Sequence, residues 1–296
     1  MRVLIFSLLA FISINGIAQS VGAINTYHYD LKIINPSLIG LEESPSFNII
    51  YRDQWSNISG SPKSILLSYE QGINSLGGNV GIMFSSIKAG IHSQNKGSFI
   101  FSKEIFLSKD SYLNIGSNLI FQSDNVYFDD LQILNPDDEL IAGATTNNDF
   151  NMDAGVSFSK DQFVIGIALQ NILRNSYDEF SPARDIQFYN LYAHYHWDYS
   201  TSIALKPYAF YQIVDTDNSW RFDGGLDVEF FDLITIGGRI RVFDEDQFYY
   251  LIASLSAKDW FNVYMILYDQ SIQEFNSGNT DFGNNFEMGM RVFIPD

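Results

Sequence analysis

The stretch WRFDGGLDVEFFDLITIGGRIRV, from Trp220 to Val242, decides the fold. Every second residue from Trp220 reads Trp220, Phe222, Gly224, Leu226, Val228 and Phe230, while the interleaved set is Arg221, Asp223, Gly225, Asp227 and Glu229. After Phe231-Asp232-Leu233 the alternation restarts, with Ile234, Ile236, Gly238, Ile240 and Val242 against Thr235, Gly237, Arg239 and Arg241. A period of two marks a strand whose two faces meet different surroundings. The stretch is therefore a hairpin with one apolar face and one fully charged face. In a soluble sandwich the charged face looks at water; in an outer-membrane barrel the apolar face looks at lipid and the charges at the lumen. The number of hairpins and the lengths of their connections separate the two.

Segments of the same kind fall at 46–55, 62–71, 79–87, 97–107, 111–122, 150–159, 162–170, 187–198, 202–212, 220–230, 233–242, 247–257, 259–268 and 282–294. These make 14, an even number, and no helical period interrupts them. At one end the connections are mostly short: Gly72–Gly78, Ser108–Ser111, Lys160-Asp161, Tyr199–Thr201, Phe231–Leu233 and Ala257-Lys258. At the other they are mostly longer and rich in Asp, Asn and Ser: Ser56–Ser61, Lys88–Lys96, Ser123–Asp149, Asn171–Ile186, Val214–Ser219, Phe243–Asp246 and Asp269–Asp281. Short periplasmic turns and long outer loops are the habit of outer-membrane barrels, and about ten tilted residues cross the apolar band. Tyr195, Trp197, Tyr199, Trp220, Phe230, Phe231, Trp260 and Tyr268 stand where interfacial aromatic girdles belong. The fold class is all-β, a single antiparallel transmembrane barrel of about 14 strands.

The hairpin then has a definite register. Lumenal residues are odd-numbered on both strands, so paired numbers sum to an even value and the connection has an odd length. The turn Phe231-Asp232-Leu233 satisfies this. Phe230 falls opposite Ile234, Glu229 opposite Thr235, Asp227 opposite Gly237, Gly225 opposite Arg239 and Asp223 opposite Arg241. Asp223 and Arg241 form a cross-strand ion pair, with Arg239 diagonal to Asp223 and Asp227. Together with Arg52, Glu229, Glu287 and Arg291 these residues make up the expected lumenal charge network.

Composition agrees with this reading. The chain has 35 acidic and 17 basic residues, no cysteine and a net charge of −18. No cysteine means no disulfide, no thiolate metal site and no Cys nucleophile. The acidic balance argues against nucleic acid as a partner. Met1-Arg2, the apolar run Val3–Ile14 and Gly16-Ile17-Ala18 read as a signal peptide cleaved near Ala18, with the apolar run shorter than the ~20 residues of a membrane helix. The expected organisation is a signal peptide over 1–18, an irregular segment over 19–45 in the lumen or along the periplasmic rim, and the barrel over 46–296.

Two features point toward ligands. His194 and His196 lie two apart on one strand face, without a third ligand nearby in sequence, and an ordinary polar lumen is the preferred reading. The Ser123–Asp149 loop holds Asp124, Asp129, Asp130, Asp137, Asp138, Glu139 and Asp149 with no Lys or Arg, which is raw material for calcium but lacks EF-hand spacing. A solvated acidic loop is preferred, and no metal or cofactor is assigned. Apolar residues within it suggest a partner-binding surface made of Phe128, Leu131, Ile133, Leu134, Asp137, Asp138, Glu139 and Ile141. There is no Gly-x-Ser-x-Gly elbow, His-Glu-x-x-His or phosphate loop, so the reading is non-enzymatic.

Three further motifs carry a resemblance. Asn35-Pro36-Ser37-Leu38-Ile39-Gly40 has an Asn-Pro-x-x-x-Gly form; Tyr51-Arg52-Asp53-Gln54-Trp55 and Gly60-Ser61-Pro62 follow it. With the strands holding Gly77–Gly81 and Asn114-Ile115-Gly116, and the pair Lys206-Pro207, these residues resemble the PorP/SprF family of type IX secretion membrane proteins. Its signature positions here are Asn35, Pro36, Gly40, Tyr51, Arg52, Gln54, Trp55 and Pro62. Where the family closes on a His-Glu pair, Phe286-Glu287 stands here. The resemblance implies an outer-membrane barrel in a Gram-negative bacterium with type IX secretion and gliding machinery. Its implied partners are outer-membrane lipid and either the periplasmic secretion ring or one cognate secreted adhesin, held by its C-terminal domain. A diffusion porin with a charged lumen is the alternative; inward Tyr208, Phe210, Phe248, Tyr250, Tyr264 and Tyr268 would narrow such a pore.

Overall fold

In a computed structural model the chain closes into one antiparallel sheet. The residues described are 24–41, 44–73, 75, 77–127, 145–173, 186–215, 219–243, 246–257, 260–269 and 284–294. The strands are β1 (Ser46–Asp53), β2 (Lys63–Ile73), β3 (Gly78–Ala89), β4 (His92–Ser108), β5 (Ser111–Val126), β6 (Thr145–Lys160), β7 (Phe163–Gln170), β8 (Phe188–Tyr195), β9 (Trp197–Ser200), β10 (Ile203–Val214), β11 (Trp220–Phe230), β12 (Ile234–Phe243), β13 (Asp246–Ala257), β14 (Phe261–Asp269) and β15 (Phe286–Phe293). Each pairs with its neighbours in sequence, except that β8 and β9 both pair with β10, and β1 pairs with β15, from Ser46 opposite Phe293 to Asp53 opposite Phe286. Because β8 and β9 are two pieces of one stave along β10, the barrel has 14 strands and no free edge around the ring.

The break between β8 and β9 has a physical cause in the partner strand. Pro207 lies within β10 and has no N–H to give to the ladder, so pairing stops at Tyr208–His194 on one side and resumes at Leu205–Trp197 on the other. His196 falls in this gap with the register unchanged on either side, and its N–H donates to the Gln162 carbonyl (3.0 Å) while its ring meets Asp198 (3.0 Å). His194 and His196 stay on one side of the stave, and no group of three or more ligating side chains exists among the described residues.

Two expected boundaries move. The first strand ends at Asp53 rather than at 55: Gln54 donates its N–H to the Pro62 carbonyl (2.9 Å), and Trp55 adopts a φ of +53°. The connections 88–96 and 123–149 are shorter than expected, because β4, β5 and β6 run for 17, 16 and 16 residues and meet over Gly90-Ile91 and residues 127–144. Asp124 and Asp149 are strand residues; Asp124 accepts from Gln94 Nε2 (2.7 Å) and Asp149 from Asn147 Nδ2 (2.8 Å). The proposed partner-binding positions Phe128, Leu131, Ile133, Leu134, Asp137, Asp138, Glu139 and Ile141 lie outside the described residues. So do residues 1–18, the segment expected to be a signal peptide.

Outward positions carry the apolar belt, for example Ile82, Phe84, Phe99, Leu119, Ile167, Leu191, Ile236 and Leu251, all exposed as lipid-facing side chains must be. At the short-turn end Phe106, Trp197, Tyr199, Phe231 and Trp260 form a girdle, the periplasmic interface of the barrel.

Candidate functional site: the filled lumen

The opening hairpin has the register that parity requires: Asp223 faces Arg241, Gly225 faces Arg239, Asp227 faces Gly237, Glu229 faces Thr235 and Phe230 faces Ile234. Arg241 grips Asp223 with two parallel hydrogen bonds, Nε to Oδ1 and Nη2 to Oδ2, both 2.8 Å. The diagonal Arg239 does the same to Asp227 at 2.6 and 3.0 Å. It reaches Asp227, not Asp223. Arg221 stands 3.5 Å from Asp223 and stacks its guanidinium on Phe210 at 4.9 Å, while Arg239 and Arg241 lie over Tyr208 and Tyr250 at 4.6 and 5.1 Å. Glu229 takes Lys206 at 2.8 Å. Across the seam Arg52 faces Glu287 directly, 3.4 Å apart, and Arg291 lies 3.7 Å from Asp30. The structure thus brings Arg52 and Glu287 together on one side, and Asp223, Asp227, Glu229, Arg239 and Arg241 on the other.

What joins the two sides is the N-terminal segment, which runs down the lumen. Its three 3-10 turns, Tyr27–Tyr29, Leu31–Ile33 and Pro36–Leu38, are short pieces without a helical period, and the wall supplies their partners. Glu287 accepts the N–H groups of Asn25 (3.0 Å) and Thr26 (2.6 Å) and the Thr26 hydroxyl (2.6 Å). Asn25 in turn accepts from Arg241, and the Tyr27 hydroxyl donates to Asp223 at 2.9 Å. Lower down, Asp30 binds Asn48 Nδ2 and Ser68 Oγ, both 2.8 Å, and pairs with Lys32, which also reaches Glu70 at 3.2 Å. Wall amides hold the backbone: Gln170 Nε2 and Asn190 Nδ2 donate to the carbonyls of Ile33 and Ile34 at 2.8 Å each. These residues are buried, so each charge needs its partner.

The signature Asn35-Pro36-Ser37-Leu38-Ile39-Gly40 has a floor made for it. Pro36 begins the third turn, Asn35 caps it by accepting the Ser37 N–H at 2.9 Å, and Gly40 leaves it with a φ of +79°. The floor is glycine. A Cβ on Gly116 would stand 2.4 Å from the Pro36 carbonyl carbon, one on Gly155 1.9 Å from Asn35 Oδ1, one on Gly166 2.7 Å from Asn35 Nδ2 and one on Gly81 2.5 Å from Ile39. Gly116 and Gly155 are direct cross-strand partners. Ser157 closes the contact by donating to the Ser37 carbonyl at 3.2 Å. The remaining signature positions lie at the outer rim: Gln54 and Pro62 close the β1–β2 connection, Tyr51 faces outward, and Trp55 takes its N–H to Asn285 Oδ1 at 3.2 Å.

The segment has a direction. Asn25 and Thr26 sit against Glu287, one residue inside the outer end of β15, whereas Gly40 meets Asn79, one residue inside the periplasmic end of β3. It therefore threads the barrel from the outer mouth to the periplasmic rim. The inward Tyr208, Phe210, Phe248, Tyr250 and Tyr264 fill the space around it, and the cavity between Asn25, Tyr208, Asp223, Arg239, Arg241 and Tyr250 measures about 10 Å³, no more than one water. The side chain of Tyr268 lies outside the described residues. Sequence reasoning missed Tyr27, Asp30, Lys32, Asn48 and Glu70. The available signal was a run of polar, inward-parity positions on β1 and β2 (Asn48, Ser64, Ser68, Glu70) with no outward reason to be polar.

Among the described residues the arrangement packs the N-terminal segment against the wall and commits the lumenal carboxylates of Asp223, Asp227 and Glu287 to hydrogen bonds and ion pairs. Among solved structures the barrel is similar to the CymD monoaromatic hydrocarbon channel, with a TM-score of 0.53 and 7% identity over 89% of this chain and 92% of that one. Omp33 of Acinetobacter baumannii follows with a TM-score of 0.49 and 9% identity over 86% and 100%. A FadL homologue of Pseudomonas aeruginosa has a TM-score of 0.49 and 10% identity over 87% and 89%. At such identities the likeness concerns the fold alone. No curated protein sequence matches the chain. The family of type IX secretion system membrane proteins PorP/SprF matches residues 17–291. The chain belongs to that family, as an outer-membrane barrel of type IX secretion.

Proposed function

We propose that this barrel is a non-enzymatic docking component of the type IX secretion and gliding machinery that holds a secreted adhesin at the outer face through the adhesin's C-terminal domain. The observation that carries the proposal is the filled lumen: packing of the segment from Asn25 to Gly40 against the wall favours the rims and loops as the working surfaces. The outer side is favoured over the periplasmic ring by the connections. Periplasmic turns such as Lys109-Asp110, Asp161-Gln162 and Thr201-Ser202 give a ring little to hold, whereas the longest connections, 127–144, 171–187 and 270–285, join outer strand ends. The diffusion-porin alternative requires an open lumen, and the packing of the described N-terminal segment speaks against it.

Affinity purification of the tagged chain from native outer membranes tests the reading. One large secreted protein should co-purify; secretion-ring proteins alone would move the function to the periplasmic side, and neither partner would overturn it. Replacing residues 128–144 with a short Gly/Ser turn should leave the barrel inserted, with heat-modifiable migration on gels, and abolish retention of the secreted protein. Unchanged co-purification would reject that loop as the docking surface.

A further inference from the structure

On the lipid-facing side of β2 to β5 the apolar belt stops along a line. Outward residues on β3 run Val80, Ile82 and Phe84 and then change to Ser86 and Lys88; on β4 Phe99 gives way to Asn95 and Ser93; on β5 Leu119 and Phe121 give way to Ser123. The sheet continues past the line with its register intact, so a polar wall stands directly above the acyl zone on the outer side. On this wall Lys63 of β2 faces Lys88 of β3 as a direct cross-strand pair. Like charges so placed repel. Asp53 takes Lys63 at 3.1 Å, but Lys88 has no partner among the described residues. Both lysines line a hollow of about 340 Å³ with Ser56, Ser59, Ser61 and Gly60. The hollow is held open by the Gly90 N–H donating to the Gly60 carbonyl at 2.7 Å, which ties the β1–β2 connection to the β3–β4 turn.

We infer that this hollow binds the phosphate monoester of an outer-leaflet glycolipid. Its phosphate sits between Lys63 and Lys88, its sugar lies against the hydroxyl and amide wall of Ser86, Asn95 and Ser93, and its acyl chains run down over Ile82, Phe84 and Phe99. Each part follows from chemistry on the page. Ammonium groups at a membrane surface attract phosphate as point charges. Serine and asparagine side chains offer sugars both donors and acceptors. The exposed apolar side chains lie immediately below, where chains attached to such a headgroup must pass. Asp53 tunes the site without neutralising it, because its carboxylate pairs with Lys63 and leaves the charge of Lys88 in the hollow.

The purified full-length chain is reconstituted in phosphatidylcholine vesicles doped with a diphosphorylated glucosamine-disaccharide lipid, extracted gently and weighed by native mass spectrometry. The unaltered protein should carry the phosphorylated lipid and not the same lipid with its phosphates removed, a comparison that needs no variant. Lys63→Gln/Lys88→Gln should retain roughly tenfold less, while Lys103→Gln, near the opposite rim, should retain as much as the unaltered chain. Equal retention of the phosphate-free lipid, or equal retention by the double variant, would overturn the site. Displacement of the lipid by inorganic phosphate at millimolar concentration would show an anion site without glycolipid selectivity, and would overturn it equally.

Discussion

Gly116→Leu should turn a barrel that is electrically silent in a planar bilayer into one that conducts ions steadily. The side chain would enter space held by the Pro36 carbonyl carbon and the Ser37 nitrogen, each 2.4 Å from where its Cβ must stand. Backbone on both sides leaves neither partner free to turn away, as a flexible side chain would. Overpacking of this kind costs about 1–3 kcal/mol. The turn is held against it by hydrogen bonds worth about 1 kcal/mol each net, such as those of Asn35, Ser37 and Ser157. The wall is a closed hydrogen-bonded ring and the turn is not, so the turn yields first. Gly155→Leu, whose Cβ would meet Asn35 Oδ1 at 1.9 Å, should act in the same way. Gly97→Leu is the control, since it points outward from β4 with nothing within 4 Å. A Gly116→Leu protein that keeps heat-modifiable migration and stays silent in the bilayer would reject the N-terminal segment as the seal.

How much of this was legible follows from what each residue reports locally. The hairpin register was readable because two independent constraints, face parity and charge pairing, meet within 23 consecutive residues, Trp220 to Val242. Strand number was readable wherever lipid imposes an apolar face. It failed as a ruler above the membrane: on β4 and β5, Ser93, Asn95, Ser123 and Asn125 are outward yet polar, so alternation ended while the hydrogen-bonded ladder continued. The broken stave at His196 was hidden because its cause, Pro207, lies on the partner strand. The seal was hidden for a stronger reason. The wall partners of residues 25 to 35 lie between 18 and 262 positions away, and Gly116, Gly155 and Gly166 each sit alone in their own strand, where a single glycine reads as a weakness in the strand. Only closure of the ring, with β1 against β15, brings them to one place.

The charge cluster on β11 and β12 should show an unequal pair of losses. Arg241→Ala leaves Asp223 with Arg221 at 3.5 Å and the Tyr27 hydroxyl at 2.9 Å, so the carboxylate remains partly satisfied. Asp223→Ala removes the shared anion and leaves Arg221 and Arg241 buried on one face, facing the same gap, with Tyr27 lacking its acceptor. Breaking a buried pair costs about 3–5 kcal/mol; Arg241→Ala belongs at the low end of that range and Asp223→Ala at the high end. In the double variant the stranded Arg241 is gone and Arg221 keeps its seat over Phe210. Its loss should therefore fall short of the sum of the single losses by at least about 1 kcal/mol, the coupling expected of groups in direct contact. Urea-dependent unfolding of the barrel in detergent micelles, followed by intrinsic fluorescence, measures all three. Additive losses would mean that the bidentate contact contributes nothing to stability, and a larger loss for Arg241→Ala than for Asp223→Ala would mean that Arg221 and Tyr27 do not share the carboxylate. Because Asn25 also hangs on Arg241 and Tyr27 on Asp223, either single variant should loosen the outer end of the N-terminal segment as well. Intermittent openings in the bilayer, shorter than those of Gly116→Leu, are the expected sign, since the glycine floor under Pro36 and Ser37 is intact.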